Sequence, residues 1–204
     1  VSLPYNKKTA SYNPFRIEVN FDGMGHSYAA ELLPESLSFK GIDFNLGDPA
    51  SANGLKCRGE RIALPAGNYD RLYLLAAAMR SDVRCTFTVG GKPQEVTVPY
   101  YGGFIGQWGH TGHTEEFFKA ADVAYVGTHK HSMNGNKDLP YDYSYMFCIP
   151  LEIPAGADSL QLPDNGQVVI FAATAVKDLN NTAVPCSDLY RIGIKPSSEA
   201  VNAG

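Results

Sequence analysis

Breakers of regular structure punctuate this chain from end to end: 20 Gly and 13 Pro are spread along 204 residues, with no linker collecting them. Such spacing leaves little room for long helices and confines regular elements to short runs. The runs that remain carry β character. Arg84-Cys-Thr-Phe-Thr-Val89 and Gln94-Glu-Val-Thr-Val98 alternate polar and apolar residues, and Gly90-Gly91 lies in the short connection between them. That pattern predicts a β-hairpin. Residues 61–65, 122–128, 143–153, 159–162 and 167–174 also read as strands, and the apolar run from Asp70 to Met79 reads as a buried one. Pro150 marks an edge position or a bulge, because proline cannot donate to a ladder. Helical character is limited to one or two short turns, at Tyr28–Leu33 with Ser27 as a cap and at Glu115–Lys119 after Thr114. The predicted fold is an all-β antiparallel sandwich of the jelly-roll kind, with residues 1–195 as one domain and 196–204 as a polar tail.

Composition narrows the function classes. A net charge of −4, with no basic cluster among the aromatics, offers no footprint for nucleic acid. The longest apolar run, Leu72 to Met79, is too short for membrane insertion as a helix. Val1 in place of an initiator Met reads as a processed product or a piece of a longer protein. Cys57, Cys85, Cys148 and Cys186 are far apart and form no C-x-x-C. Free, buried thiols are the favoured expectation, with one disulfide as the alternative in a secreted setting.

Two groups of residues carry chemistry. The histidines pair as His110 with His113 and His129 with His131. Residues two apart on a strand share a face, so His129 and His131 present two imidazoles together. Four imidazoles, or three with Glu115 or Glu116, would suit zinc or a similar borderline metal. Alternatively, these are polar loop residues satisfied by hydrogen bonds. Tyr100, Tyr101, Gln107, Trp108, His110 and His113 form the second group, a mixture of flat rings and directional polar groups that suits a sugar. Against this, Trp108 can equally plug the end of a sandwich core.

Asp22 in Asp22-Gly-Met-Gly25 belongs either to a tight turn or to a structural calcium site, although its spacing is not that of an EF-hand. No nucleophile elbow, phosphate loop or H-E-x-x-H occurs. Asp22, Glu31, Glu115 and Glu116 offer carboxylates for a glycosidase pair, with no sequence signal for their separation. Asn180-Asn-Thr182 is a glycosylation sequon.

Phe21-Asp-Gly-Met-Gly-His-Ser-Tyr-Ala-Ala-Glu-Leu-Leu-Pro34, Gly41-Ile-Asp-Phe-Asn-Leu-Gly47, Arg61-Ile-Ala-Leu-Pro-Ala-Gly67 and Tyr73-Leu-Leu-Ala-Ala-Ala78 occur in this order. Gly103-Phe-Ile-Gly-Gln-Trp-Gly109, Ala124-Tyr-Val-Gly-Thr-His-Lys-His131 and Leu160-Gln-Leu-Pro-Asp-Asn165 follow. Over residues 1–177 the series resembles the C-terminal accessory domains of bacterial, Bacteroides-type family 38 α-mannosidases. The resemblance implies a galactose-binding-like sandwich without catalytic residues, appended to a glycoside hydrolase. It implies a module that binds mannose-containing glycan or braces its parent catalytic domain, in a periplasmic or extracellular setting. Under that reading Tyr101, Gln107, Trp108, His110, His113, His129 and His131 face the glycan and no cofactor is expected, a structural calcium or zinc with Asp22, His129 and His131 as candidate ligands being the alternative. Two alternatives stand beside it: a metal-dependent hydrolase built on the two histidine pairs, and a ligand-free cell-surface interaction domain.

Overall fold

A computed structural model describes residues 1–107, 116–117 and 119–177. In chain order the first strands are β1 (Ala10–Ser11), β2 (His26–Ala29), β3 (Ser36–Phe39), β4 (Ile42–Asn45), β5 (Leu55–Lys56) and β6 (Arg61–Ala63). The middle holds β7 (Arg71–Ala78), β8 (Val83–Val89), β9 (Lys92–Val98), β10 (Gly106–Gln107) and β11 (Glu116–Phe117). The last are β12 (Asp122–Ser132), β13 (Lys137–Glu152), β14 (Ser159–Gln161) and β15 (Val168–Val176). A seven-stranded sheet has the order β1-β2-β12-β13-β7-β15-β5, and a four-stranded sheet the order β6-β14-β8-β9. Apolar residues of both sheets, Leu72 and Phe171 from one and Phe87 and Leu160 from the other, join one core. The molecule is a β-sandwich, as the density of breakers predicts.

Burial explains which runs alternate and which do not. β7 lies between β13 and β15 and is buried from Leu72 to Ala78, so its sequence is continuously apolar. β8 covers the core with one face only, and Val83, Phe87 and Val89 point inward. The β8–β9 hairpin closes on Gly90 and Gly91, with φ of 54° and 84°, and pairs Val89 with Lys92. Two central residues at positive φ are what a type I′ turn requires. β9 is an edge strand, which accommodates Pro93.

β13 changes neighbours along its length. Residues Lys137–Cys148 pair with β12, whereas Phe147–Glu152 pair with β7. Pro150 lies beyond the end of β12, so the predicted edge is a local one. The Glu152 N–H, two residues on, donates to Gln94 Oε1 at 2.7 Å, and Gln94 Nε2 donates to the Glu152 carbonyl at 2.7 Å. A side-chain amide thus completes the ladder and ties the two sheets together. A bulge sets off the other half of β13. Gly127 pairs with Ser144 and His129 with Pro140, so three residues, Tyr141 to Tyr143, face the single Thr128.

The helical expectations need correction. Tyr28 and Ala29 belong to β2, and the only turn there is the 3-10 segment Ala30–Leu32. Ser27 does not cap it; its hydroxyl is 2.8 Å from that of Ser11. Glu116 and Phe117 form a short strand pairing with β10, not a helix. A second 3-10 turn, Arg16–Glu18, precedes β2. Among the described residues no helix is long and apolar enough to cross a membrane. Cys57, Cys85 and Cys148 are free. Burial pushes the Cys85 thiol up to about 11 and the Cys148 thiol up to about 12, which keeps both unreactive near neutral pH.

Asp22 sits in a tight turn, as one of the two sequence readings has it. Its Oδ1 accepts from the Met24 and His26 amides at 2.7 and 3.1 Å. Its Oδ2 accepts from the Tyr101 hydroxyl at 2.9 Å and lies 2.8 Å from His26 Nδ1. Both oxygens are thus engaged by protein groups, four contacts in all. Tyr101, expected to face a glycan, is fully buried against Phe21 and Tyr28 and has no ring face to offer.

Two outcomes test this packing. A Cβ at Gly90 would lie 2.4 Å from Ala157 Cβ, whereas one at Gly91 would meet nothing. Gly91→Ala should therefore cost only the left-handed backbone penalty of about 1–2 kcal/mol, and Gly90→Ala clearly more, in urea unfolding. Burial alone would raise the Asp22 pKa, but the Met24, His26 and Tyr101 hydrogen bonds together hold it below the ordinary carboxylate value. A depressed native pKa gives stability that is present above the unfolded value, about 3.9, and lost as pH falls through the native one. Asp22→Asn should lose about 2–3 kcal/mol at pH 7. The difference from wild type should shrink in unfolding curves taken towards pH 3.

Candidate metal centre

Four side chains converge at the β1–β2–β12–β13 end of the larger sheet. His129 and His131 stand two residues apart on β12, with ring centroids 5.5 Å apart. The turn of residues 133–136, with Gly135 and Asn136 at positive φ, closes β12 onto β13. That register places Asp138 directly opposite His131. On the other side of β12, Ser27 of β2 is the partner of His131, and the 3-10 turn after β2 delivers Glu31. One ligand atom from each of Glu31, His129, His131 and Asp138 lies within 4.8 Å of every other.

The distances show how the groups share this space. His131 Nε2 is 3.0 Å from Glu31 Oε1 and 3.3 Å from Asp138 Oδ1. His129 Nε2 is 3.4 Å from the same Glu31 oxygen and 4.0 Å from the same Asp138 oxygen. Bonds near 2.0–2.1 Å in a tetrahedron put ligand atoms about 3.3 Å apart. The four separations bracket that edge, so small adjustments would bring these atoms into a coordination shell. Two imidazole nitrogens and two carboxylate oxygens suit zinc or a similar borderline ion. Calcium, which takes six to eight oxygens, fits poorly.

Outer contacts fix the first ring. His131 is fully buried, and the Ser11 hydroxyl lies 2.9 Å from its Nδ1. Ser11 is in turn 2.8 Å from the Ser27 hydroxyl. A metal ligand commonly has its second ring nitrogen held this way, which selects the tautomer and aims the first nitrogen. Asp138 is held by Arg16, whose Nε donates to Oδ1 at 2.6 Å, and Arg16 Nη1 donates to Asn13 Oδ1 at 2.9 Å. The Arg16 hydrogen bond keeps the Asp138 carboxyl below the usual range. Asp138 therefore remains an anion well into acid.

The histidine pair expected at one strand face is thus in place. Gln107 lies on β10, while Trp108, His110 and His113 fall outside the described residues, as does Glu115. The carboxylates beside the histidines were missing from the metal reading of the sequence. In the sequence Glu31 stands out only as one of several carboxylates for a glycosidase pair, and Asp138 carries no signal of its own. Asn134-Gly135 is a turn signal that places position 138 across from 131. The approach of Glu31 has no local signal, because it depends on β2 pairing with β12 across a hundred residues.

No curated protein matches the chain. Residues 1–179 match the family described as the AziU2-like beta-sandwich domain. What this description shares with the expected mannosidase accessory module is the β-sandwich; it carries nothing about α-mannosidases. With the match spanning nearly the whole described structure, the chain belongs to the AziU2-like beta-sandwich domain family.

Proposed function

We propose that this β-sandwich is a metal-binding module, taking one divalent ion of the zinc class through Glu31, His129, His131 and Asp138. The observation that carries the reading is the convergence of two imidazoles and two carboxylates from three separate segments within 4.8 Å. A mere ion-pair network would not need both imidazoles directed at the same two oxygens. The ion would pin β12, β13 and the turn after β2 to one another and stiffen the end of the sheet.

Titration of the metal-free chain with Zn2+, and with Co2+ followed by visible absorption, should show one ion per chain and a tetrahedral Co2+ spectrum. At a hundredfold excess over Kd the ion should add about 2.7 kcal/mol, or roughly 5–10 °C in Tm for a domain of this size. The His129→Ala, His131→Ala double variant should lose both effects. No stoichiometric uptake, or uptake unchanged in that variant, would sink the reading.

The accessory role implied by the mannosidase resemblance is a second reading, and one feature supports it. Tyr141, on the bulge of β13, is 83% exposed, and Tyr143 beside it stacks on Tyr145. Exposed flat rings of this kind suit the apolar face of a sugar. Calorimetry with α-mannosides should then show weak, millimolar-range binding that Tyr141→Ala or Trp108→Ala removes. Heats indistinguishable from dilution would leave a bracing role alone.

A further inference from the structure

Arg16 occupies the candidate metal centre in a way that the ligand set alone does not require. Its Nε donates to Asp138 Oδ1 at 2.6 Å. This same oxygen approaches both imidazole Nε2 atoms, at 3.3 and 4.0 Å. A short charge-assisted hydrogen bond engages the oxygen strongly, and a dication bound to that oxygen would stand next to a guanidinium. Both cations cannot be accommodated there at full strength. In the ion-free protein Arg16 also sets a permanent positive charge beside the two carboxylates, Asp138 and Glu31.

The segment bearing Arg16 is held by little else. Its 3-10 turn is three residues long, and Arg16 is its only buried residue. Phe15 and Ile17, on either side, are 56% and 55% exposed. Arg16 Nη1 bonds Asn13 within the same segment; among the described residues the turn otherwise packs on β1 and β12 and is joined by a Lys8–Glu18 ion pair at 3.7 Å, whose partners are partly and largely exposed. Val19 is buried immediately after the turn and limits any loosening to the residues before it. Segments with few buried apolar contacts open at low free-energy cost.

Resting on the metal reading above, we infer that Arg16 is a resident competitor of the ion at Asp138. Ion binding displaces its guanidinium and releases the 12–18 segment. Arg16 thereby sets the affinity of the site and couples its occupancy to the surface formed by Tyr12, Phe15 and Ile17. The competition is thermodynamic and runs both ways, so whatever holds the 12–18 segment down weakens ion binding by the same factor.

The test uses the full chain, wild type and Arg16→Gln, titrated with Zn2+, together with hydrogen exchange of residues 12–18 with and without the ion. Competition predicts that Arg16→Gln binds Zn2+ at least fivefold more tightly. It also predicts that Zn2+ speeds exchange over 13–18 in the wild type while slowing it over 129–138. The exchange arm needs no variant, and so stands even if Arg16→Gln folds poorly. Equal or weaker binding by Arg16→Gln, or slower exchange over 13–18 in the Zn2+-loaded wild type, would make Arg16 a clamp on Asp138 and overturn the inference alone. Failure of both proteins to take up Zn2+ would remove the metal reading and this inference with it.

Discussion

The structure is organised around one aromatic nest whose hydroxyls are buried and anchored. Phe21, Tyr28, Tyr101 and Phe171 meet with centroid separations of 4.9 to 6.2 Å, mostly edge to face. The geometry suits the quadrupoles of the rings, and each ring removes a large apolar area from water. The two tyrosines also bring polar atoms into the interior, where an unmade hydrogen bond is costly. Tyr28 meets this demand by donating to the Tyr145 carbonyl at 2.8 Å, and Tyr101 by donating to Asp22. Those two bonds link β2 to β13 and the loop after β9 to the loop before β2. The position of β2 beside β12 follows from them, and Glu31 depends on that position in turn.

The residues of the candidate metal centre grow directly out of this nest. Tyr28 is the register partner of Lys130, and Ser27 that of His131. Lys130, buried between the two histidines in sequence, lies 4.7 Å from the Tyr101 ring and donates to Asp142 at 2.7 Å. Residues 129–131 therefore serve two environments at once: the imidazoles meet carboxylates, and the intervening ammonium meets aromatic faces. Site and core cannot move independently here. Order in one is order in the other.

How much of this could be read from the sequence depends on the range of the interactions. The β8–β9 hairpin was fully legible because Gly90-Gly91 and the alternation on both sides are local signals. The buried character of β7 was legible from its unbroken apolar run. Ser27 and Tyr28 misled, since a short apolar stretch with a serine before it fits a capped turn as well as a strand. Pairing with β12, a hundred residues away, decides for the strand. The histidine pair could be placed on one face from spacing alone. Glu31 could not be joined to it, and Tyr101 read as a surface aromatic because its neighbours Gly102 and Gly103 mark a loop. A glycine-rich loop can nevertheless lay a tyrosine into a core, as the Phe21, Tyr28 and Asp22 contacts of Tyr101 show.

The bulge opposite Thr128 has a consequence for how such a domain changes over generations. It separates the outer part of the β12–β13 hairpin, with its imidazoles and carboxylate, from the inner part, where β13 runs on to pair with β7 in the same sheet. Three residues facing one shift the register by two, so every side chain beyond the bulge keeps its face while the strand bends. A lineage can lengthen, shorten or rewrite the hairpin tip and still inherit the same interior. A change of length at the hairpin tip can therefore be taken up at the bulge without turning the interior side chains of β13 to the wrong face.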